Sequence, residues 1–191
     1  MIVVHPDDPS TVMLASIYEG IEGVTLFNSW RQREQMLKAI AKAPKDEPIL
    51  LLGHGSPYGL YDMRYGLILK DSDAVILRDR PNLIGIWCYA SCYAHAHSLK
   101  GFFSGMFISE LPEARANGVE ASAEEIDAKA WDFSRRLGDL LRSGKPLAEV
   151  ARELMDPRHI DSELTQFNYE RLTWRPTGTE PLPAASLAED S

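Results

Sequence analysis

The sequence predicts an α/β fold, a three-layer sandwich built on a mainly parallel, Rossmann-like sheet. Short aliphatic runs recur along the chain, and capped amphipathic stretches separate them. Two of the runs, Ile49 to Leu52 and Leu83 to Trp87, carry no polar side chain that would mark a solvent face, as expected of strands covered on both sides. Alternation of strand and helix implies βαβ crossovers and hence parallel pairing. A chain of 191 residues, 45% apolar and 25% charged, fits one domain whose core needs no metal or disulfide. That domain is expected over 1–176. Residues 177–191, rich in Pro, Ala, Ser and acid, read as a disordered tail.

Ile2-Val3-Val4 is the first expected strand. Asp8-Pro9 then supplies an N-cap and a proline at the first helical position, for a helix running to Gly20. Val24 to Phe27 is the second strand. Ser29 and Gln32 have capping-box spacing, and Trp30, Leu37, Ile40 and Ala41 lie close to one helical face. Ile49 to Leu52 is the third strand. Residues 56–70 read as irregular, with one short strand at Leu67-Ile68-Leu69. A short helix is expected over 72–80, closed by Pro81, and the fourth main strand over 83–87. An alanine-rich helix follows from Tyr89, and Met106-Phe107-Ile108 is read as the fifth main strand. Ser122 and Glu125 form a second capping box for a helix carrying Ile126, Ala130, Phe133, Leu137 and Leu141 on one side. Pro146 opens another helix, and Phe167 to Trp174 is read as a final strand.

Composition excludes several classes. There are 20 Lys+Arg against 28 Asp+Glu, a net charge of −8. A nucleic-acid partner would call for a basic face instead. No apolar run reaches the ~20 residues of a membrane span. The first residues, MIVVHPDDP, lack the basic start of a signal peptide. With two cysteines four residues apart, Cys88 and Cys92, a reducing, cytoplasmic setting fits better than a disulfide framework.

In an open parallel sheet the chemistry sits beyond the carboxyl ends of the strands. His5-Pro6-Asp7-Asp8 follow the first strand, Gly53-His54-Gly55 the third and Cys88 the fourth; Ser109 and Glu110 follow the expected fifth. Neighbouring strands lie about 4.8 Å apart, so side chains at adjacent strand ends can share one site. A cysteine at a strand-to-helix turn beside an imidazole is a candidate nucleophile, since the helix N-terminus and the ring both favour thiolate. Cys88 is therefore expected to have a lowered pKa. Gly55, bare of a side chain, can present its N–H as an oxyanion donor. No cofactor is required.

The stretches ILLLGHG (49–55) and LIGIWC (83–88) resemble the clan CD cysteine peptidases, which include caspases, legumains, gingipains, separases and the bacterial CHAT domains. The resemblance covers roughly residues 1–110. It implies a caspase-like sheet, with His54 as general acid and base, Cys88 as nucleophile and Gly55 as oxyanion donor, acting on a peptide or protein substrate. Trp87 stands where the family usually has a small residue. Ser109 and Glu110, with Asp62 in the loop after His54, are the candidates for the pocket that takes the residue before the cut. An acid there would favour Arg or Lys.

Other readings stay open. Ala90-Ser91-Cys92 has the small residue that Trp87 lacks, which makes Cys92 the alternative nucleophile. Cys88, Cys92 and His95 are spaced to share a helix face and could bind a metal, with His97 as a poor fourth ligand. His5, Asp7 and Asp8 could also hold one, but capping accounts for Asp8-Pro9. A catalytically degenerate binding or signalling module is the rival to a peptidase. No G-x-S-x-G elbow is present, and Gly53-His54-Gly55 only imitates a dinucleotide loop.

Overall fold

The structure is a computed structural model and describes residues 1–176; the expected tail, 177–191, lies outside the described residues. The main sheet has six strands: β1 (Ile2–Val4), β2 (Thr25–Phe27), β3 (Ile49–Leu52), β7 (Leu83–Ile86), β8 (Gly101–Ser104) and β9 (Leu172–Arg175). Their spatial order is β2-β1-β3-β7-β8-β9. The first five are mutually parallel, and β9 closes the edge antiparallel to β8. The mostly parallel α/β sheet predicted by the alternation is therefore present.

Side-chain alternation assigns the two faces. Val4, Ile49, Leu51, Leu83 and Phe103 pack under α1 (Arg33–Lys42) and α2 (Ala90–Ala96). Val3, Leu50, Leu52, Ile84, Ile86 and Phe102 face the opposite layer. That layer holds the 3₁₀ helix Pro9–Ile17, α4 (Ala123–Arg142) and α5 (Leu147–Leu154). α4 packs through Ile126, Ala130, Phe133 and Leu137, the stripe its sequence shows. Ser122 caps it by accepting from the Glu125 N–H, and Asp8 caps the 3₁₀ helix by accepting from the Ser10 N–H.

Five elements differ from expectation. The fifth parallel strand is 101–104, not 106–108. Phe102 and Phe103 fill opposite faces of the sheet there, and Gly101 is needed because a Cβ would meet the Leu83 carbonyl oxygen at 2.1 Å. Residues 56–70, read as irregular except for a strand at Leu67-Ile68-Leu69, are ordered together with His54 and Gly55, and the expected strand lies within the last of three. They form a small antiparallel sheet of β4 (His54–Ser56), β5 (Gly59–Asp62) and β6 (Gly66–Lys70), which buries Leu60, Ile68 and Leu69 against the main core. The first helix is 3₁₀ and ends at Ile17. The helix expected over 72–80 is a 3₁₀ stretch, Asp71–Ile76. The stretch read as a final strand divides into α6 (Glu163–Tyr169) and β9. One further helix, α3 (Leu111–Ala116), follows the β8 loop.

Candidate functional site

The register of β3 on β7 positions the two principal residues. Leu52 pairs with Ile86, and His54 stands to Cys88 as Leu52 stands to Ile86, two residues further along each strand. Leu52 and Ile86 both face the α4 layer, so alternation sends the next side chains in step to that face. His54 and Cys88 line one cavity at the carboxyl edge of the sheet, roofed by Leu14 of the 3₁₀ helix and by Ala130 and Ser134 of α4.

His54 is held from the first-strand loop. Its Nε2 lies 2.6 Å from Ser10 Oγ and 3.7 Å from Asp8 Oδ1. Ser10 Oγ donates to Asp8 Oδ1 at 2.7 Å, and the Ser10 N–H does so at 2.9 Å. A hydroxyl has one proton, and a carboxylate can only accept. The Ser10 proton therefore goes to Asp8, and its lone pair faces His54 Nε2, which must carry the ring proton. That leaves Nδ1 as the basic nitrogen. The Ser10 hydrogen bonds, with the nearby His54, also hold the Asp8 carboxyl below its ordinary value. Ser10 was invisible in the sequence because it lies 44 residues from His54. Asp8 had a complete explanation as a cap; it serves both roles.

Cys88 lies two residues before α2. Tyr89 turns the chain in a left-handed conformation, φ 68°, and serves as the N-cap. Its N–H donates to Gly105 O at 2.9 Å, and Ser104 Oγ accepts from the Trp87 N–H at 3.1 Å, so β8 and the loop after it brace the turn. The thiol sits 3.5 Å from Phe107 O and 3.7 Å from Glu113 Oε1. Glu113 belongs to the capping box of α3, and its other oxygen accepts from the N–H groups of Ser109 and Glu110. Burial, with the neighbouring Glu113 carboxylate, pushes the Cys88 thiol up to about 11. This corrects the expectation of a lowered pKa: the thiol is partly buried, precedes the first helical turn, and faces a carboxylate where a cation was expected.

Trp87 fits without a small residue because its neighbours are glycines. A Cβ on Gly55 would come within 1.9 Å of the indole, and one on Gly85 within 2.7 Å. The ring packs on the α2 side against Tyr93, and its Nε1 donates to Ser56 O at 3.1 Å. Gly55 itself lies in β4 opposite Leu60, beyond Gly53 and His54, which line the cavity.

The pocket candidates separate. Ser109 lines the cavity, although its N–H and hydroxyl are committed to Glu113. Glu110 caps α3. Asp62 is buried in the small sheet, where it accepts from the N–H groups of Trp30 and Arg64. Neither acid lines the cavity, because the main strand ends at 104 and the chain turns into α3, while Asp62 is spent fixing the turn after β5. Cys92 is exposed in α2, and its N–H is bonded to Tyr89 O. His97 binds Asp71, His95 lies beside Arg175, and His5 is buried between Tyr18 and Thr11. Among the described residues no group of three His, Cys, Asp or Glu converges on a metal position, so the Cys88, Cys92, His95 and His97 set does not form a site. Among the described residues no helix is long and apolar enough to cross a membrane. No protein-family model, curated protein or solved structure matches the chain.

Proposed function

We propose that the chain is a cysteine peptidase-like hydrolase with a caspase-like sheet, cleaving peptide bonds through a thioester. One observation carries the reading: His54 and Cys88, at the carboxyl ends of two paired strands, line one cavity beneath α4. The His-Gly and Cys strand ends, with their resemblance to clan CD peptidases, point the same way.

In this mechanism His54 Nδ1 takes the thiol proton, and Cys88 Sγ attacks the peptide carbonyl carbon. The C–S bond forms as the carbonyl oxygen gains the negative charge, with the Gly55 N–H as the candidate donor to it. As the C–N bond breaks, the amine leaves with the proton from His54. Water, deprotonated by the same nitrogen, then attacks the thioester and releases the acid and the thiol. Ser10 and Asp8 keep the ring in the tautomer this requires, as an orienting partner does in the Ser-His-Asp arrangement.

A second reading has its own observation. The thiol is bonded toward Phe107 and Glu113 rather than to the imidazole, and its pKa is raised, which suits a degenerate caspase-like binding or signalling module. Incubation with a mixed peptide library separates the two. New N-termini, lost in both Cys88→Ala and His54→Ala, are expected of the peptidase. An untouched library with wild-type protein would favour the binding module.

A further inference from the structure

The roof of the cavity beside His54 and Cys88 carries an unpaired polar group. Ser134, on α4, is 0% exposed, and its Oγ has no hydrogen-bond partner. A buried hydroxyl left unpaired is unfavourable, so the site is incomplete as it stands. Leu14, Ile86, Phe107 and Ala130 line the same cavity, with Thr11 and Ser109 as its other hydroxyl residues. The two acids expected to read a basic side chain, Glu110 and Asp62, lie elsewhere. The space is also small. The centre of a water-sized sphere can move through about 20 Å³ of it, and one water needs roughly 10–15 Å³ on the same measure.

Because the two reacting side chains are themselves part of the wall, the group that enters is the one borne by the carbon next to the carbonyl under attack. We propose that this cavity is the specificity pocket for the residue before the cut, and that it selects a small uncharged side chain, serine ahead of alanine, through Ser134. The inference rests on the acyl-transfer reading of His54 and Cys88. Leucine overfills the space. Lysine is too long for the space, and aspartate would bring a second carboxylate close to that of Glu113, which lies 3.7 Å from the Cys88 sulfur. A serine hydroxyl meets the Ser134 oxygen and supplies its missing partner.

The test uses N-acetyl tripeptide acyloxymethyl ketones that differ only in the last residue: Ser, Ala, Leu, Lys or Asp. The Cys88 thiolate displaces the carboxylate at the methylene carbon. A C–S bond replaces a C–O bond, and the mass gain maps to Cys88. Labelling by the Ser and Ala ketones is expected to be at least roughly tenfold faster than by the other three, in the range a pocket of fixed size gives. The Ser ketone should lead the Ala ketone, and Ser134→Ala should erase that lead. The hydroxyl of Ser134 bonds nothing in the protein, so this variant keeps the fold. Fastest labelling by the Lys, Asp or Leu ketone would overturn the pocket assignment, as would equal rates for all five, while leaving Cys88 as the nucleophile. Attachment of no ketone at Cys88 would overturn the acyl-transfer reading and the pocket with it.

Discussion

Cys88 is a thiol whose surroundings hold its proton. With a pKa of about 11, only on the order of one molecule in ten thousand carries the thiolate at pH 7. Near neutral pH, iodoacetamide should therefore modify the exposed Cys92 before Cys88, the reverse of the order that a helix N-terminus at Cys88 would give. Cys88 alkylation should climb with pH until about 11, followed by peptide mapping. A carboxylate beside the sulfur opposes its ionisation, so Glu113→Gln should lower that midpoint and raise the rate at pH 8 by on the order of tenfold. Linkage runs the same way. Folding favours the neutral thiol, so its contribution to stability is complete below the unfolded thiol pKa and is lost as pH rises toward 11. At His54, ¹⁵N spectra of the neutral ring should show protonated Nε2 and bare Nδ1. Ser10→Ala should mix the two tautomers, since Nε2 loses the oxygen it donates to. That His54 and Cys88 reach one cavity was legible as a strand-end pattern, whereas the hydrogen-bond partners of each were not. Ser10 and Glu113 reach them across 44 and 25 residues, with no local spacing to announce it.

Among the elements, what could be read were the strands with uninterrupted aliphatic side chains and the long capped helix α4. Those missed had mixed faces. β5 and β6 interleave Leu60, Ile68 and Leu69 with Tyr61, Gly66 and Lys70, because one side of the small sheet meets the core and the other meets water. β8 is only two phenylalanines between Gly101 and Ser104, and the neighbouring Met106-Phe107-Ile108 carried the stronger aliphatic signal. α6 is short and opens with Ser162 capping Thr165, which lacks the acidic mark of a capping box. The close fit of β4 against the strand end of β7 gives a direct test. Gly55→Ala places a methyl group against the Trp87 ring and should destabilise the fold by about 2–3 kcal/mol in denaturant melts. Adding Trp87→Ala should recover part of the loss through non-additivity. On the same face of the sheet, the buried Arg80 guanidinium donates to the carbonyl oxygens of Ile40, Ala43, Pro44 and Ile76, and so closes the end of α1. Arg80→Ala removes a hydrogen bond from each of these acceptors, of which Pro44 O alone keeps the Glu47 N–H among the loop bonds, and should cost about 3 kcal/mol or more.

Across the molecule, the cleft is assembled from segments far apart in the chain. The first-strand loop supplies Asp8 and Ser10, the middle supplies His54 and Cys88, and α4 supplies the roof. The wall after β8 is pinned by α6, where buried Asn168 accepts from the Ile108 N–H at 2.7 Å and donates to the Ile108 carbonyl at 3.0 Å. Asn168→Ala should lower stability by about 2–3 kcal/mol, since it orphans both backbone groups. Hydrogen exchange should show the Ile108 amide losing protection well before those of β3 and β7. The pairing of β9 with β8 has a temporal consequence. Gly101 to Ser104 must wait for partners about 70 residues further along the chain, and pairings so distant in sequence form late. During synthesis or refolding, β1, β3 and β7 can join first, with one flank of β8 left open. The wall that holds the Cys88 sulfur through Phe107 is then among the last parts to close, so a newly made chain passes through an interval in which its thiol is uncovered and its sheet edge can pair with a second chain.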